Sequence, residues 1–422
     1  MTSPLVSPKI KAQYHGEDLG ASEGLLVAVA RLLDPLAEGE ALELITENPS
    51  VSDDLRIWCR RAGHRFVSSI GENGKSRIVI ERGGVRRTLS DPAEWGVRMP
   101  RRGTNVDMRD WQVGRNAAIE VEAPVGGSLA PRGAALEEGA PLIEFSIRKR
   151  SDIWANAISE LYEQATSSQW IGARDIPWQE LAPLDDEVER AVCQIMTFLA
   201  ENEYAALYVP ARFIGQIHPH FTEAALFLST VIVDEARHIE VFTKRALANG
   251  GGLGIASATT QLSLASLLEP RDFSTASFLL SVLGEGTFLD LLAFLEDHAP
   301  ERATREICRR ARQDETRHVR FGIAHAKYAI ESDSNSVRRF ISAVEARADF
   351  LKSVSGVGAL IEESLIIYSG GGMNPSSLRA GTKLIAGLYE TMHANRVKRL
   401  SAAGFNIDHA DHMSKLHTPN FM

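Results

Sequence analysis

Asp234-Glu235-Ala236-Arg237-His238 and Asp314-Glu315-Thr316-Arg317-His318 repeat one phrase, Asp-Glu-x-Arg-His. Its carboxylate and imidazole are both ligand types for a divalent metal ion. On an α-helix, Glu and His three residues apart lie on nearly the same face, one turn from each other. Each phrase can therefore offer one metal an oxygen and a nitrogen. A buried metal pair needs further oxygens, and helical bundles of this kind supply them as one lone Glu from each of two more helices. Glu203 and Glu285 stand where such residues are needed.

Their placement follows from two prolines. Pro219 is the midpoint between Glu203 and Glu235, within Ile217-His218-Pro219-His220, and Pro300 is the midpoint between Glu285 and Glu315, within His298-Ala299-Pro300. Proline favours the first turn of a helix and disfavours its interior, so each midpoint predicts a turn between antiparallel helices. Each lone Glu then returns to the level of its Glu-x-x-His partner, giving four Glu and two His in one layer. A single Asp-Glu-x-Arg run is ordinary on a solvated helix face. Two copies, bounded by Val231, Ile232 and Val233 before the first and by Val319 and Phe321 after the second, favour the metal.

The helices that must position these residues are legible from periodicity. Ile153 to Ala165 predicts an amphipathic helix, followed by an aromatic-rich bend at Gln169-Trp170 and Asp175-Ile176-Pro177-Trp178. From Asp185 to about Val209 an apolar stripe runs through Val188, Val192, Ile195 and Leu199, and reaches Glu203 and Ala206. A carboxylate on such a stripe is costly to bury without a partner; Glu201 points elsewhere and ranks second. The next helix runs from Phe221 to Ala248 and stops at Asn249-Gly250-Gly251-Gly252. A fourth, Ser274 to Glu296, carries Glu285 between Gly284 and Gly286, which predicts a local distortion or close backbone approach beside the ligand. A fifth runs from Pro300 to Glu331, and two more are expected over Ser336 to Ser353 and Ser376 to Ala402. His218 and His220 are expected in a solvent-exposed turn, and His325, two turns after His318, as a satisfied core histidine. Phe198, Leu199, Phe288 and Leu292 are candidate walls of an apolar substrate cavity.

A chain of 422 residues predicts two or three domains. Its net charge of −9 argues against a dedicated nucleic-acid binder. No uninterrupted apolar run has membrane-spanning length, and Met1 to Gln13 lacks the apolar core of a signal peptide, so no membrane is expected and the cytoplasm is the expected compartment. Cys59, Cys193 and Cys308 form no Cys-x-x-Cys pair and suit reducing surroundings.

The N-terminal part differs in texture. Residues 1–16 are polar and expected to be flexible, and 17–84 read as a small α/β module. Leu25 to Leu36 is helical, Ala41 to Thr46 alternates like a strand, and Asp53 to Ala62 is helical again. His64 to Ile70 and Arg77 to Glu81 form a hairpin closed by Gly71-Glu72-Asn73-Gly74. Residues 85–150 are rich in Gly, Pro and Arg (Arg86-Arg87, Pro100-Arg101-Arg102-Gly103, Pro124-Val125-Gly126-Gly127, Pro131-Arg132-Gly133) and predict an irregular linker, or an arm wrapping a neighbour. The helical bundle is expected over 151–405, and a C-terminal tail over 406–422.

The α/β module resembles the TusA-like sulfur-carrier family through Gly39-Glu40-x-Leu42, Asn48-Pro49, Asp53-Asp54-Leu55, Trp58-Cys59-Arg60 and Gly63-His64. That family carries its persulfide on a Cys-Pro-x-Pro at the first helix, where this chain has Ser22-Glu23-Gly24-Leu25. A serine hydroxyl cannot form a persulfide, so the resemblance implies a degenerate carrier kept for docking or packing.

The helical part resembles the ferritin-like carboxylate-bridged diiron oxidases and oxygenases, through the duplicated Asp-Glu-x-Arg-His and through Glu203-Tyr204-x-Ala206. The fold implied is mainly α, a ferritin-like helical bundle behind the small α/β module. The resemblance implies that Glu203, Glu235, His238, Glu285, Glu315 and His318 bind two irons, with one or two of the Glu bridging and manganese as an alternative in one position. Asp234 is placed to accept the ring N–H of His318, and Asp314 that of His238, with Arg237 and Arg317 balancing the two aspartates. The implied activity is O2-dependent oxidation of a small organic molecule, with electrons from a separate reductase or ferredoxin because no flavin or nucleotide motif is visible; a homodimer is expected. A ferroxidase or iron-handling protein, and a metal-stabilised binding protein without catalysis, are the alternatives. Three better-known activities do not carry over whole. The radical-forming Tyr of ribonucleotide reductase small subunits is replaced by Phe242, the Thr of multicomponent monooxygenases by Leu289, and the added His of arylamine N-oxygenases by Ala311.

Overall fold

The computed structural model describes residues 8–84, 107–108, 121–132, 134, 136, 140–352 and 359–417. They divide between two compact units, an N-terminal one and one that holds 118–132 and everything from Ile143 onward.

In the first unit four strands, β1 (Lys9–Glu17), β2 (Glu40–Thr46), β3 (Arg65–Glu72) and β4 (Lys75–Glu81), form a sheet in the order β1-β2-β4-β3. β1 runs parallel to β2, and the other pairs are antiparallel. Helices α1 (Leu25–Leu33) and α2 (Val51–Ala62) cover it. At four-residue spacing Leu25, Val29 and Leu33 from α1, and Val51, Leu55 and Cys59 from α2, form one core with Leu42, Leu44, Ile78 and Ile80. The hairpin turns at Asn73 and Gly74, both at positive φ, as a primed two-residue turn requires. The N-terminus, expected to be loose through residue 16, instead supplies β1. This is an edge strand most of whose side chains face solvent, so it lacks the apolar alternation by which a strand is recognised. Residues 1–7 lie outside the described residues.

The second unit is all helical apart from isolated bridges. A short pair, α3 (Ile158–Ser167) and α4 (Gly172–Asp175), leads into α5 (Asp186–Ile214), α6 (Thr222–Ala248) and α7 (Ala258–Leu267). α8 (Phe273–Ser277) runs on through a π-helical segment, Phe278–Gly284, into α9 (Glu285–Asp297). Then come α10 (Arg302–Ser332), α11 (Asn335–Lys352), α12 (Ala359–Gly370), α13 (Pro375–Ala402) and α14 (Ile407–His417). This is the mainly α bundle with a small N-terminal α/β part that the sequence predicts. The chain reverses at both proline midpoints, with Pro219 in a 3₁₀ turn and Pro300 between α9 and α10.

Several elements depart from expectation, each for an identifiable reason. α5 continues through Pro210 to Ile214, so the proline, which offers no N–H, stands near the helix end without terminating it. The fourth helix is interrupted by the π-helical segment, whose last residue is Gly284, so the glycine pair beside Glu285 does mark a distortion. α7, α12 and α14 were not foreseen. α7 is Ser- and Thr-rich, and α12 is apolar on nearly every side, so neither shows a clear stripe. α14 hides Ala410, Met413 and Ser414 in a polar sequence, in what reads as the tail. α12 and α13 approach so closely at Gly381 that a Cβ there would collide with the carbonyl of Ile366. The run Phe273–Asp297 has the length and hydropathy of a membrane span, but 89% of its apolar window is buried in the bundle.

Of the presumed linker, Arg86-Arg87, Pro100 to Gly103 and most of 85–120 lie outside the described residues. The described stretches 121–132 and 143–150 belong to the same unit as the bundle. Ile147 bridges Ile217, and the buried Arg132 guanidinium binds both oxygens of Glu223 on α6, at 2.5 and 2.8 Å.

Candidate metal centre

Four helical stretches deliver the six predicted residues to one place. Glu203 comes from α5, Glu235 and His238 from α6, Glu285 from the first position of α9, and Glu315 and His318 from α10. None is more than 3% exposed. They form two overlapping quartets, Glu203, Glu235, His238 and Glu315, and Glu235, Glu285, Glu315 and His318, with ligand atoms within 4.8 Å of one another in each. Glu235 and Glu315 belong to both quartets, so each would be within reach of both ions if two were bound.

The rings are oriented for ligation. His238 Nδ1 lies 3.8 Å from Glu203 Oε1, 3.2 Å from Glu235 Oε2 and 3.3 Å from Glu315 Oε1. His318 Nδ1 lies 2.9 Å from Glu235 Oε1 and 3.4 Å from Glu315 Oε2. Both rings turn Nε2 outward. That of His238 is 3.2 Å from Asp314 Oδ2, and that of His318 is 3.3 Å from Asp234 Oδ2. An Nε2–H donated to each aspartate leaves each Nδ1 lone pair facing the carboxylates. Arg237 and Arg317 each bind both aspartates. Arg237 reaches Asp314 at 2.9 Å and also Asp234, and Arg317 reaches Asp234 at 3.0 Å and Asp314 at 2.5 Å. The four residues thus close a buried ring with no net charge.

Two contributors escaped the sequence reading. Trp170 donates its indole N–H to Asp314 Oδ2 at 2.7 Å, and Gln169 donates to Asp234 at 3.3 Å while accepting from Arg237 at 2.7 Å. Arg237 also lies over the Trp170 ring, 4.7 Å from its centre. The residues were noticed only as an aromatic bend, and their partners lie 65 and 144 positions further on.

Seven donor atoms of the cluster are buried without a hydrogen-bond partner: Glu203 Oε1, Glu235 Oε1, both oxygens of Glu285, both of Glu315, and His318 Nδ1. Buried polar atoms are almost always satisfied, and here the unsatisfied ones converge on a common space. Burial first, then repulsion by Glu235, pushes the Glu203 carboxyl well above the usual range; burial and Glu315 do the same to Glu285. Burial alone would lower the two imidazoles, but the carboxylates around them hold both well above the ordinary histidine value. The layer therefore needs positive charge, and a donor set of four Glu and two His fits two divalent ions.

Exchanging the Asp314 carboxylate for an amide tests the outer ring. Asp314→Asn no longer fixes the His238 tautomer, so affinity for the ion in the Glu203 quartet is expected to fall roughly 10- to 100-fold, read by competition against a chelator. Unchanged affinity would show that Asp314 does not orient the ring.

Beside the layer lies a small cavity of about 20 Å³, room for about one water molecule, lined by Val209, Pro210, Leu228, Val231, Phe273, Ser277, Leu280, Ser281 and Phe321, with Glu285 and His318 at its metal end. The expected walls are elsewhere. Phe198 and Phe288 pack on each other in the core with ring centres 6.0 Å apart, and Leu199 and Leu292 are buried in the same core. His218 is also corrected. It sits in a turn but is buried, its Nδ1 accepting from the backbone N–H of His220 at 3.0 Å, because the 121–132 segment covers it where Gly127 leaves room. His220 is half-buried beside it. His325 is a satisfied core histidine, 2.9 Å from the Trp154 carbonyl and 3.0 Å from Ser274 Oγ, and burial lowers it to about 4. Glu201 stays outside the cluster, held by Gln261 at 2.6 Å.

In the N-terminal unit Ser22 is exposed just before Gly24 and α1. Cys59 is buried, and burial pushes its thiol up to about 12. Neither is a sulfur nucleophile.

Residues 24–82 match the family described as Sulfurtransferase TusA. No curated protein matches the chain. Among solved structures, an R2-like ligand-binding oxidase with an aerobically reconstituted Mn/Fe cofactor is 16% identical, the match covering 63% of this chain and 91% of that one at a TM-score of 0.41. One variant of such an oxidase, also aerobically reconstituted with Mn/Fe, is 17% identical over 57% of this chain and 94% of that one, with a TM-score of 0.43. Another, anaerobically reconstituted, is 16% identical over 58% and 94%, with a TM-score of 0.44.

Proposed function

We propose that the helical unit is an O2-dependent oxidoreductase that holds two iron ions on Glu203, Glu235, His238, Glu285, Glu315 and His318 and oxidises a small organic molecule. The observation that carries this reading is the convergence of seven unsatisfied buried donor atoms from four helices. When bound, the two ions supply the redox chemistry by which O2 is reduced.

The chain's own residues make such a centre tenable. Four carboxylates balance two divalent charges, and Arg237 and Arg317 balance Asp234 and Asp314, so the whole layer is buried without excess charge. Glu203 and Glu285 each belong to one quartet only, whereas Glu235 and Glu315 belong to both and would hold both ions. The walls of the small cavity that ends at Glu285 and His318 are mainly apolar, which suits a compact, apolar substrate for which the walls would have to make room. Electrons come from a separate reductase or ferredoxin, and the enzyme works as a cytoplasmic homodimer. The N-terminal unit, with serine where the resembled carriers place their cysteine, serves docking rather than sulfur transfer.

Anaerobic loading with ferrous salt, metal analysis and O2 uptake test the proposal together. Two irons per chain and continuing O2 uptake with a reductant and an organic substrate are expected. Uptake that stops once the added Fe(II) is consumed would assign a ferroxidase, and two bound ions with no uptake a structural site. Anomalous scattering at the iron and manganese edges identifies the ion in each quartet.

A further inference from the structure

Helix α6 is inside out. Between Thr222 and Ile239 its charged and ligating side chains, Glu223, Asp234, Glu235, Arg237 and His238, are all buried, drawn inward by the metal layer and, for Glu223, by Arg132. Facing outward over the same stretch are Ala225, Leu226, Ser229, Ile232, Val233, Ala236 and Ile239, none of them charged. A helix on the surface of a bundle ordinarily turns a charged face to water, as α10 does with Arg302, Arg305, Arg320 and Lys327. Apolar residues all round are the mark of a covered helix. The hydroxyls on this side need no water either. Thr222 donates to the Pro219 carbonyl at 2.6 Å, Ser229 to that of Ala225 at 2.8 Å and Thr230 to that of Phe227 at 2.7 Å, so covering them orphans no donor.

The face continues onto the neighbouring helices. The reversal at Pro219 brings Tyr204 and Tyr208 of α5 to the level of Val233 and Ser229, and Tyr204, Tyr208 and Val233 are 48%, 52% and 53% exposed. α7 is tied alongside α5 by Gln261 to Glu201 at 2.6 Å and by Arg212 to the carbonyls of Leu268 and Pro270, and on this flank Leu262 and Leu268 are exposed. Thr222 to Ile239 spans about 25 Å, and two helices side by side are about 20 Å across. The face of α5 and α6 therefore offers roughly 500 Å² per copy, or roughly 1,000 Å² for two before α7 is added, the size at which a specific interface becomes stable. Such a patch on a soluble protein marks an interaction surface. A second copy is the occupant that it fits. A two-fold axis sets a surface against itself, so like charges would meet on a charged face, and two chains of net charge −9 approach with least opposition where the surface carries none. We infer that two copies of the chain meet through the outer face of α5 and α6, flanked by α7, so that the helix bearing Glu235 and His238 is buried on both sides. The inference deepens the proposed homodimer and rests on that part of the reading, not on the metal.

Sedimentation equilibrium of the full-length protein tests it. The wild type is expected at twice the 46.2 kDa of one chain. Val233→Lys and Tyr208→Lys, on different helices, each place two lysines in the apolar contact, one from each copy. Each is expected to raise the dissociation constant at least roughly 100-fold and to sediment as a monomer with its helicity by circular dichroism kept. Each lysine moves the net charge from −9 to −8, so general repulsion between copies cannot account for the loss. Thr391→Lys makes the same change on the exposed side of α13 and is expected to stay dimeric. Loss of the dimer in both face variants, with Thr391→Lys intact, supports the inference. A wild type that is monomeric at every concentration overturns it together with the homodimer, whether or not the variants fold. A dimer that both face variants keep, or that Thr391→Lys loses equally, overturns the assignment of the face and leaves the homodimer standing. Iron content and O2 uptake are read separately, so failure of the oxidoreductase reading and failure of this one are told apart.

Discussion

Glu235→Gln is expected to strip the centre of both ions, whereas Glu203→Gln removes only one. Glu235 lies in both quartets and Glu203 in one, so the amide at 235 weakens both positions at once. Glutamine matches glutamate in size but carries no charge, and three carboxylates cannot balance two divalent ions in a layer where no ligand exceeds 3% exposure. In the metal-free protein burial alone would raise Glu235, but His318 and His238 hold its carboxyl well below the ordinary value, so the amide also removes a partner of both imidazoles, and circular dichroism is the control that the fold is kept. Iron content after anaerobic loading and gel filtration is therefore expected to fall from two per chain to below one, with helicity by circular dichroism unchanged. O2 uptake should fall at least roughly 100-fold, the upper range for loss of even an outer contact to a ligand. Two irons retained in Glu235→Gln would refute the bridging assignment.

That six residues could be chosen before the fold was known reflects how directly a helix converts spacing into direction. Glu-x-x-His needs only three residues of context, and a proline midway between two carboxylates sets their level by symmetry. The same arithmetic failed for the cavity. Phe198 and Leu199 precede Glu203, and Phe288 and Leu292 follow Glu285. The observed walls lie on the other side of the metal layer, at Val209 and Pro210 after Glu203, and at Ser277, Leu280 and Ser281 before Glu285. Phe288 and Leu292 lie about one and two helical turns beyond Glu285, whereas the cavity lies before it. The π-helical segment Phe278–Gly284 also carries more residues per turn than the 3.6 that a stripe assumes. Trp170 and Gln169 were illegible for another reason: their partners are set by tertiary packing, which no local period encodes. β1 was missed because an edge strand need not alternate, although Tyr14 does pack against the core.

Far from the centre, one guanidinium ties together the three long helices that carry Glu203, the first phrase and the second. Arg245 on α6 is fully buried and binds Glu189 of α5 at 2.7 and 3.2 Å, Glu301 at 2.8 Å and Thr304 Oγ1 at 2.7 Å. Glu301 in turn caps α10, accepting from the Thr304 N–H at 2.7 Å. Arg245→Met keeps the volume but leaves Glu189 and Glu301 buried without a cation, a change expected to cost about 3–5 kcal/mol and so to lower Tm by roughly 10 °C. The site lies roughly 15–20 Å from the metal layer at 1.5 Å per helical residue, so iron content per folded chain should remain two. The pH dependence supplies a second signature. Burial alone would raise Glu189, but its bonds to Arg245 and Asn249 hold it below the ordinary value. Its contribution is therefore complete above the unfolded-state pKa, about 4.3, and is lost as pH falls through the lower folded value. In Arg245→Met the sign reverses, because the uncompensated carboxyl now favours its proton and acidification toward pH 5 should recover part of the lost stability. A variant that stays as stable as wild type, or that loses further stability between pH 7 and pH 5, would show that Arg245 is not the counter-ion on which the junction of α5, α6 and α10 depends.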